Sequence, residues 1–278
     1  MLFWAALGAP LIAGPGANGP GADFLANVHP DQAEGRAVLA KCAQAGLSGE
    51  YYYEFELQVL PRRAPERTIE GRLWGGRNER GLIWRIELDK EGGGERRWLV
   101  QGGPSPAAWM SDNGRPAMPA GPFDPLAPGV QLTPFDLEFP PSYLYWPDET
   151  LAGMFRVLGR PAYVFILRPP EDFAARYPSI GGVRTRLDAE YDVPVETEIL
   201  GADGTTLKTL SLVDLKKVGG DWIVKEVDAR DEKSRDKTRL DVTGAATNLD
   251  FSPELFSREA LSDPVAPPPD ERIARFGP

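Results

Sequence analysis

The chain has 278 residues, 42% of them hydrophobic, enough for one substantial core. Its formal net charge of -10 argues against a nucleic-acid binder, which needs a basic face to neutralise phosphates, and against general adhesion to anionic headgroups. One cysteine, Cys42, excludes an internal disulfide, and with a single histidine, His29, no Cys/His metal set can be assembled.

The N-terminus carries an apolar run from Leu2 to Ala13, the length of a signal-peptide core, followed by small residues that allow cleavage near Ala17 or Ala22. The basic residues that normally precede such a core are missing. Residues 1–22 are therefore read as a signal peptide or flexible leader, the alternatives being an apolar arm or a buried first strand. "GPGANG" matches G-x-G-x-x-G only formally, since no strand precedes it and no helix follows. No apolar run is long enough to span a bilayer as a helix.

Asp31 and Glu34 form a D-x-x-E capping pattern, with Gly46 as the stop. Between them Val38, Cys42 and Ala45 fall on one helical stripe, predicting a helix that buries Cys42 against a sheet. From Glu50 the period changes to two: Tyr51, Tyr53, Phe55, Leu57 and Val59 alternate with polar residues and Tyr52. "TIEGRLWGG", "GLIWRIELD" and "RRWLVQGG" follow with short turns and no helix long enough for a crossover, which predicts an antiparallel meander. Residues 102–134 hold eight prolines, from Pro104 to Pro134, and are expected to exclude regular strands. The insert is read as a cover over one opening of the sheet or as plain connection.

The stretch from Phe135 to Trp146 is dense in aromatic residues and predicts a short helix or turn near 141–146. "RPAYVFILRPP" is apolar on both faces and reads as a central strand. In "VRTRLDAEYDVP", Val183, Thr185, Leu187, Ala189 and Tyr191 share one face, and Arg184, Arg186, Asp188 and Glu190 the other. Paired carboxylates could serve glycoside hydrolysis, but the two arginines beside them make a self-neutralised, solvent-facing ladder the better reading. A hairpin turning at "GADG", a turn at "KVGGD" and a strand "KTRLDVTGAA" complete the sheet. Residues 23–260 thus form one mainly β domain, and 261–278, rich in proline, are expected to be a mobile tail.

No catalytic constellation emerges. There is no G-x-S-x-G elbow, and a triad would have to draw on His29 in the leader. What stands out is aromatic surface at alternating strand positions.

The succession "FDLEFPPSYLYWP", "RVLGRPAYVFILRPP", "VRTRLDAEYDVPVETEILGADGTTLKTLSL" and "KKVGGDWIVKEVDARDEKSRDKTRLDV" resembles the bacterial outer-membrane lipoprotein-sorting-like proteins, the LolA/LolB-like family. "IEGRLWGG" and "LVQGG" fit its first half, and the resemblance covers residues 35–256. It implies an α+β fold: a strongly curved antiparallel sheet or incomplete barrel with the N-terminal helix across its open side. It implies a non-enzymatic periplasmic protein, without cofactor, whose apolar concavity accepts acyl chains of lipids or lipoproteins. The Pro-rich insert and the acidic charge depart from that pattern. The candidate lining is Tyr51, Tyr53, Phe55, Leu82, Trp84, Ile86, Trp98, Tyr145 and Trp146. The alternative is an envelope module that uses the same sheet with a filled interior and binds a protein partner rather than lipid.

Overall fold

A computed structural model describes residues 30–44, 47, 49–90, 92–137, 140–157, 159–191 and 193–277. The leader, His29, Ala45, Gly46 and Phe139 lie outside the described residues.

The first element is helix α1 (Gln32–Gln44). A meander follows: β1 (Glu50–Leu60), β2 (Arg67–Asn78), β3 (Gly81–Asp89), β4 (Glu95–Gln101), β5 (Ala107–Asp112) and β6 (Met118–Ala120). After two single 3-10 turns, Pro134–Leu137 and Ser142–Tyr145, come β7 (Asp148–Val157), β8 (Arg160–Arg168), the short helix α2 (Glu171–Arg176) and β9 (Ile180–Asp188). Then come β10 (Pro194–Gly201), β11 (Thr206–Val218), β12 (Asp221–Asp231), β13 (Lys237–Leu249) and, near the end, β14 (Ala274–Arg275).

All strands join one antiparallel sheet in the order β6-β5-β4-β3-β2-β1-β13-β12-β11-β10-β9-β8-β7, with β14 added alongside β13. The two meanders meet where β1 pairs with β13. The edges β6 and β7 do not pair with each other among the described residues, so the barrel stays open.

Register shows which side chains share a face. Val59, Thr238, Ala229, Leu210, Thr197 and Thr185 are successive neighbours across the ladder and form one row. Two cores therefore lie on the same inner face. The first joins β1–β4 to β12 and β13 through Phe55, Leu57, Trp84, Trp98 and Val242. The second joins β7–β10 to α1 through Leu39, Cys42, Phe165, Val183 and Leu187.

The insert does two things. Its first part continues the sheet, because β5 and β6 form in spite of the prolines. β6 is an edge strand, where Pro119 costs little because one side of the strand has no partner. Its second part crosses the inner face: Leu126, Val130 and Leu132 are buried in the first core, and the Gln131 N–H donates to Thr238 Oγ1 at 2.9 Å. The segment enters the second core at Phe135, and Lys208 reaches Asp136 beside it.

The C-terminal segment, read as a mobile tail, packs back on the outer face. Leu261 is buried against Ile83 and Leu99, and Ile273 against Tyr52 and Trp74. The buried Arg85 and Arg97 guanidiniums donate to the carbonyls of Ala260, Ser262 and Asp263 while sharing the Glu87 carboxylate. Proline-rich composition hid these anchors because each is a single residue meeting a distant strand. Over β9–β13 the outer face is instead a ladder of ion pairs, with Arg184 and Arg186 on Glu198 and Arg239 on Asp228.

The alternation in β9 runs to Asp188, which lies across from Ala162 on the outer face shared with Arg184 and Arg186 and accepts from Arg160 Nε at 2.6 Å and from the backbone N–H groups of Glu190 and Tyr191. Ala189, Glu190 and Tyr191 thus belong to a turn, not to the strand faces expected for them.

Candidate functional site

Helix α1 starts as its sequence requires. Asp31 Oδ1 accepts from the N–H groups of Ala33 at 2.8 Å and Glu34 at 3.4 Å. The reciprocal half of the expected box is absent, since Glu34 instead accepts from the Tyr163 hydroxyl at 2.9 Å. The Gln32 side chain holds the Leu151 backbone on β7 through both its N–H, at 2.9 Å, and its carbonyl, at 3.0 Å. At the other end the Tyr145 hydroxyl donates to the Ala43 carbonyl at 3.1 Å.

The buried stripe is Gly35, Leu39 and Cys42, rotated slightly from the predicted Val38, Cys42 and Ala45. The rotation follows from Gly35. A Cβ there would lie 3.0 Å from Leu151 Cβ and 3.2 Å from Phe165 Cε1, so any larger residue would have to push these neighbours or the helix outward.

The next face of α1 borders a cleft of about 770 Å³, within the size range of small-molecule sites. Leu39, Ala43 and Arg36 come from the helix, and Leu144, Tyr145 and Trp146 from the turn before β7. Leu47, Arg77 at the end of β2, and Glu149 at the start of β7 complete it. Leu47 packs on the first core, whereas Leu39, Leu144 and Trp146 belong to the second, so the cleft opens at the seam between them.

Beneath the turn, the Tyr143 hydroxyl meets Thr197 Oγ1 at 3.0 Å, and Thr197 meets Thr185 at 3.0 Å. Burial pushes the Tyr143 phenol well above the ordinary tyrosine range, so it stays neutral. This polar row is satisfied internally.

The nine residues expected to line a concavity divide. Tyr145 and Trp146 border the cleft. Tyr51, Phe55, Leu82, Trp84, Ile86 and Trp98 are buried in the first core, with Tyr53 packed against it. Their polar atoms are used there: Trp84 Nε1 donates to the Tyr51 hydroxyl at 2.9 Å and Trp98 Nε1 to the Leu126 carbonyl at 3.1 Å. Burial also pushes the Tyr51 phenol far up. Alternation identified the inner face correctly, but it does not reveal that the insert lies on top of it. Leu39 and Ala43 were missed, although their i, i+4 spacing on the helix was readable. Arg77 carries no sequence signal.

Cys42 is buried, and among the described residues no group of three His, Cys, Asp or Glu side chains is arranged to hold a metal ion. No helix among the described residues is long and apolar enough to cross a membrane.

Solved structures share this architecture. A LolA superfamily protein from Nitrosomonas europaea matches with a TM-score of 0.63 at 14% identity, over 80% of this chain and 96% of its own. An outer membrane lipoprotein-sorting protein domain from Vibrio parahaemolyticus gives 0.71 at 15% identity, over 84% and 100%. The chain has the LolA-like fold. A DUF1329 family protein from Desulfovibrio piger shares it, with a TM-score of 0.71 at 15% identity over 82% and 98% of the two chains. A family model described as "uncharacterized protein" matches residues 148–263, the second meander of this LolA-like fold with the outer-face segment that follows. No curated protein matches the chain.

Proposed function

We propose that the protein is a non-enzymatic carrier or binder of lipid or lipoprotein acyl chains in the bacterial periplasm, and that the chain enters the cleft beside α1. The observation that carries this reading is the cleft itself: an opening of about 770 Å³ at the seam of two cores, walled by Leu39, Ala43, Leu47, Leu144 and Trp146. The LolA-like fold, shared with a lipoprotein-sorting domain, supports it. Each buried methylene contributes about 0.8 kcal/mol, part of which association and ordering take back, so binding is reversible, as a carrier needs. Tyr145 and Trp146 line the entrance. The remaining aromatic residues of the first core hold the sheet rigid behind it.

The test is displacement of a fluorescent fatty acid. Wild type binds the probe; Ala43→Trp, which fills the cleft from a half-buried helix position, loses binding at least about tenfold with its melting temperature little changed. The second reading, an envelope module with a filled interior that binds a protein partner, is favoured by the sealed first core. It gains if wild type ignores the probe and a gentle native mass spectrum shows only the bare chain.

A further inference from the structure

The cleft has a sign. Arg36, on α1, and Arg77, at the end of β2, both line it and are exposed. Neither forms an ion pair within 4.0 Å among the described residues, although Glu149 borders the same cleft. Several arginines elsewhere on the sheet are neutralised by a neighbour: Arg160 by Asp188, Arg184 by Glu198, Arg239 by Asp228. Arg77 also stands close enough to the first core for its charge to oppose the upward push that burial gives the Tyr51 phenol. Two guanidiniums without an ion pair among the described residues thus border the same cleft as the apolar Leu39, Leu144 and Trp146, in a chain of net charge -10. A guanidinium presents a planar fork of donors that fits a carboxylate or phosphate and cannot lose its charge at neutral pH.

We infer that the guest is an amphiphile with an anionic head, a carboxylate or a phosphate, clasped between Arg36 and Arg77 while its chain lies along Leu39, Leu144 and Trp146. This rests on the acyl-binding reading above and adds the chemical class of the guest. It also reconciles an acidic surface with a lipid guest, because the long-range field repels anionic bilayers while the cleft accepts a single anionic head.

The test uses the full chain and three ligands with one chain length, dodecanoate, dodecyl phosphate and dodecanol, each below its micelle concentration. They compete with the uncharged probe N-phenylnaphthylamine. The two anions are expected to compete about tenfold better than dodecanol, an advantage that shrinks with added salt. In the double variant Arg36→Gln/Arg77→Gln the anions fall to the level of dodecanol, while dodecanol itself is unchanged. The tighter of the two anions tells a fatty-acid source from a phospholipid one. Dodecanol competing as well as the anions would overturn the anionic head and leave acyl binding standing. A preference that survives the double variant would overturn the assignment to these arginines. Failure of all three ligands, and of the probe, would overturn both readings.

Discussion

The two inner-face cores are built on the same sheet yet closed in different ways. The first is covered by a length of chain that enters it at several points: Leu126, Val130 and Leu132 are buried in it, and the Leu126 carbonyl receives the Trp98 indole. The same half of the sheet is also covered on its outer face by the C-terminal segment. The second core is covered by a discrete helix, tied by side chains near each end and pressed against Leu151 and Phe165 at Gly35. A strap stitched along its length places side chains into the core at several points. A helix held at its ends leaves a cleft along its free face, and there the cavity lies. The way each core is closed, not the number of aromatic residues in it, decides where the cleft beside α1 opens.

The harshest test of this contrast is Trp84→Glu. The ring is 2% exposed and its N–H is satisfied internally, so the change removes a large packed group and buries an unpaired carboxylate. The cost is about 4 kcal/mol or more, a large share of the roughly 5–15 kcal/mol that holds a domain folded. Loss of the cooperative thermal transition is expected by circular dichroism. A variant that stays folded but no longer binds the fatty-acid probe would make the first core the chamber and reverse the comparison.

A milder probe acts on the second core. Gly35→Val pushes a branched side chain against Leu151 and Phe165, costing about 1–3 kcal/mol of overpacking. Hydrogen exchange should quicken in α1 while β1–β4 stay protected. Equal loss of protection in both regions would mean that the helix is part of one indivisible core.

The smallest effect is expected from Asp188→Asn, about 1 kcal/mol. Burial by itself would raise this carboxyl, but the Arg160 guanidinium and the N–H groups of Glu190 and Tyr191 outweigh it and hold it below the usual carboxylate range. A depressed carboxyl contributes stability that is present above its unfolded value, about 3.9, and is lost as pH falls through the lower folded value. The difference in urea midpoint between wild type and variant should therefore be full at neutral pH and close in acid. A gap that persists unchanged after the carboxyl protonates would remove the charge from the explanation.

The sequence revealed elements whose information is local. Alternation in Tyr51–Val59, the paired glycines of the turn into Trp222, and the cap at Asp31 each act within a few residues, and each element formed. What it hid depends on distant partners. β5 exists because β4 offers its edge, and Pro106 just before it gave no hint of that. The C-terminal segment is fixed by Leu261 and Ile273 meeting strands made much earlier in the chain. The cleft is a seam between cores, so only Tyr145 and Trp146 among the expected lining border it. Arg36 and Arg77 have no pattern that would single them out before folding.

The pairing of β1 with β13 sets the order in which the molecule can be finished. Leu57 faces Leu240, so the sheet's central ladder joins segments far apart in the sequence. Closing so long a loop is entropically expensive, and contacts of large sequence separation form slowly. A growing polypeptide can assemble each meander from neighbouring hairpins, but its middle ladder must wait until Lys237–Leu249 has been synthesised. During translation the two halves exist as separate edges, and the protein becomes a single sheet only once β13 has left the ribosome.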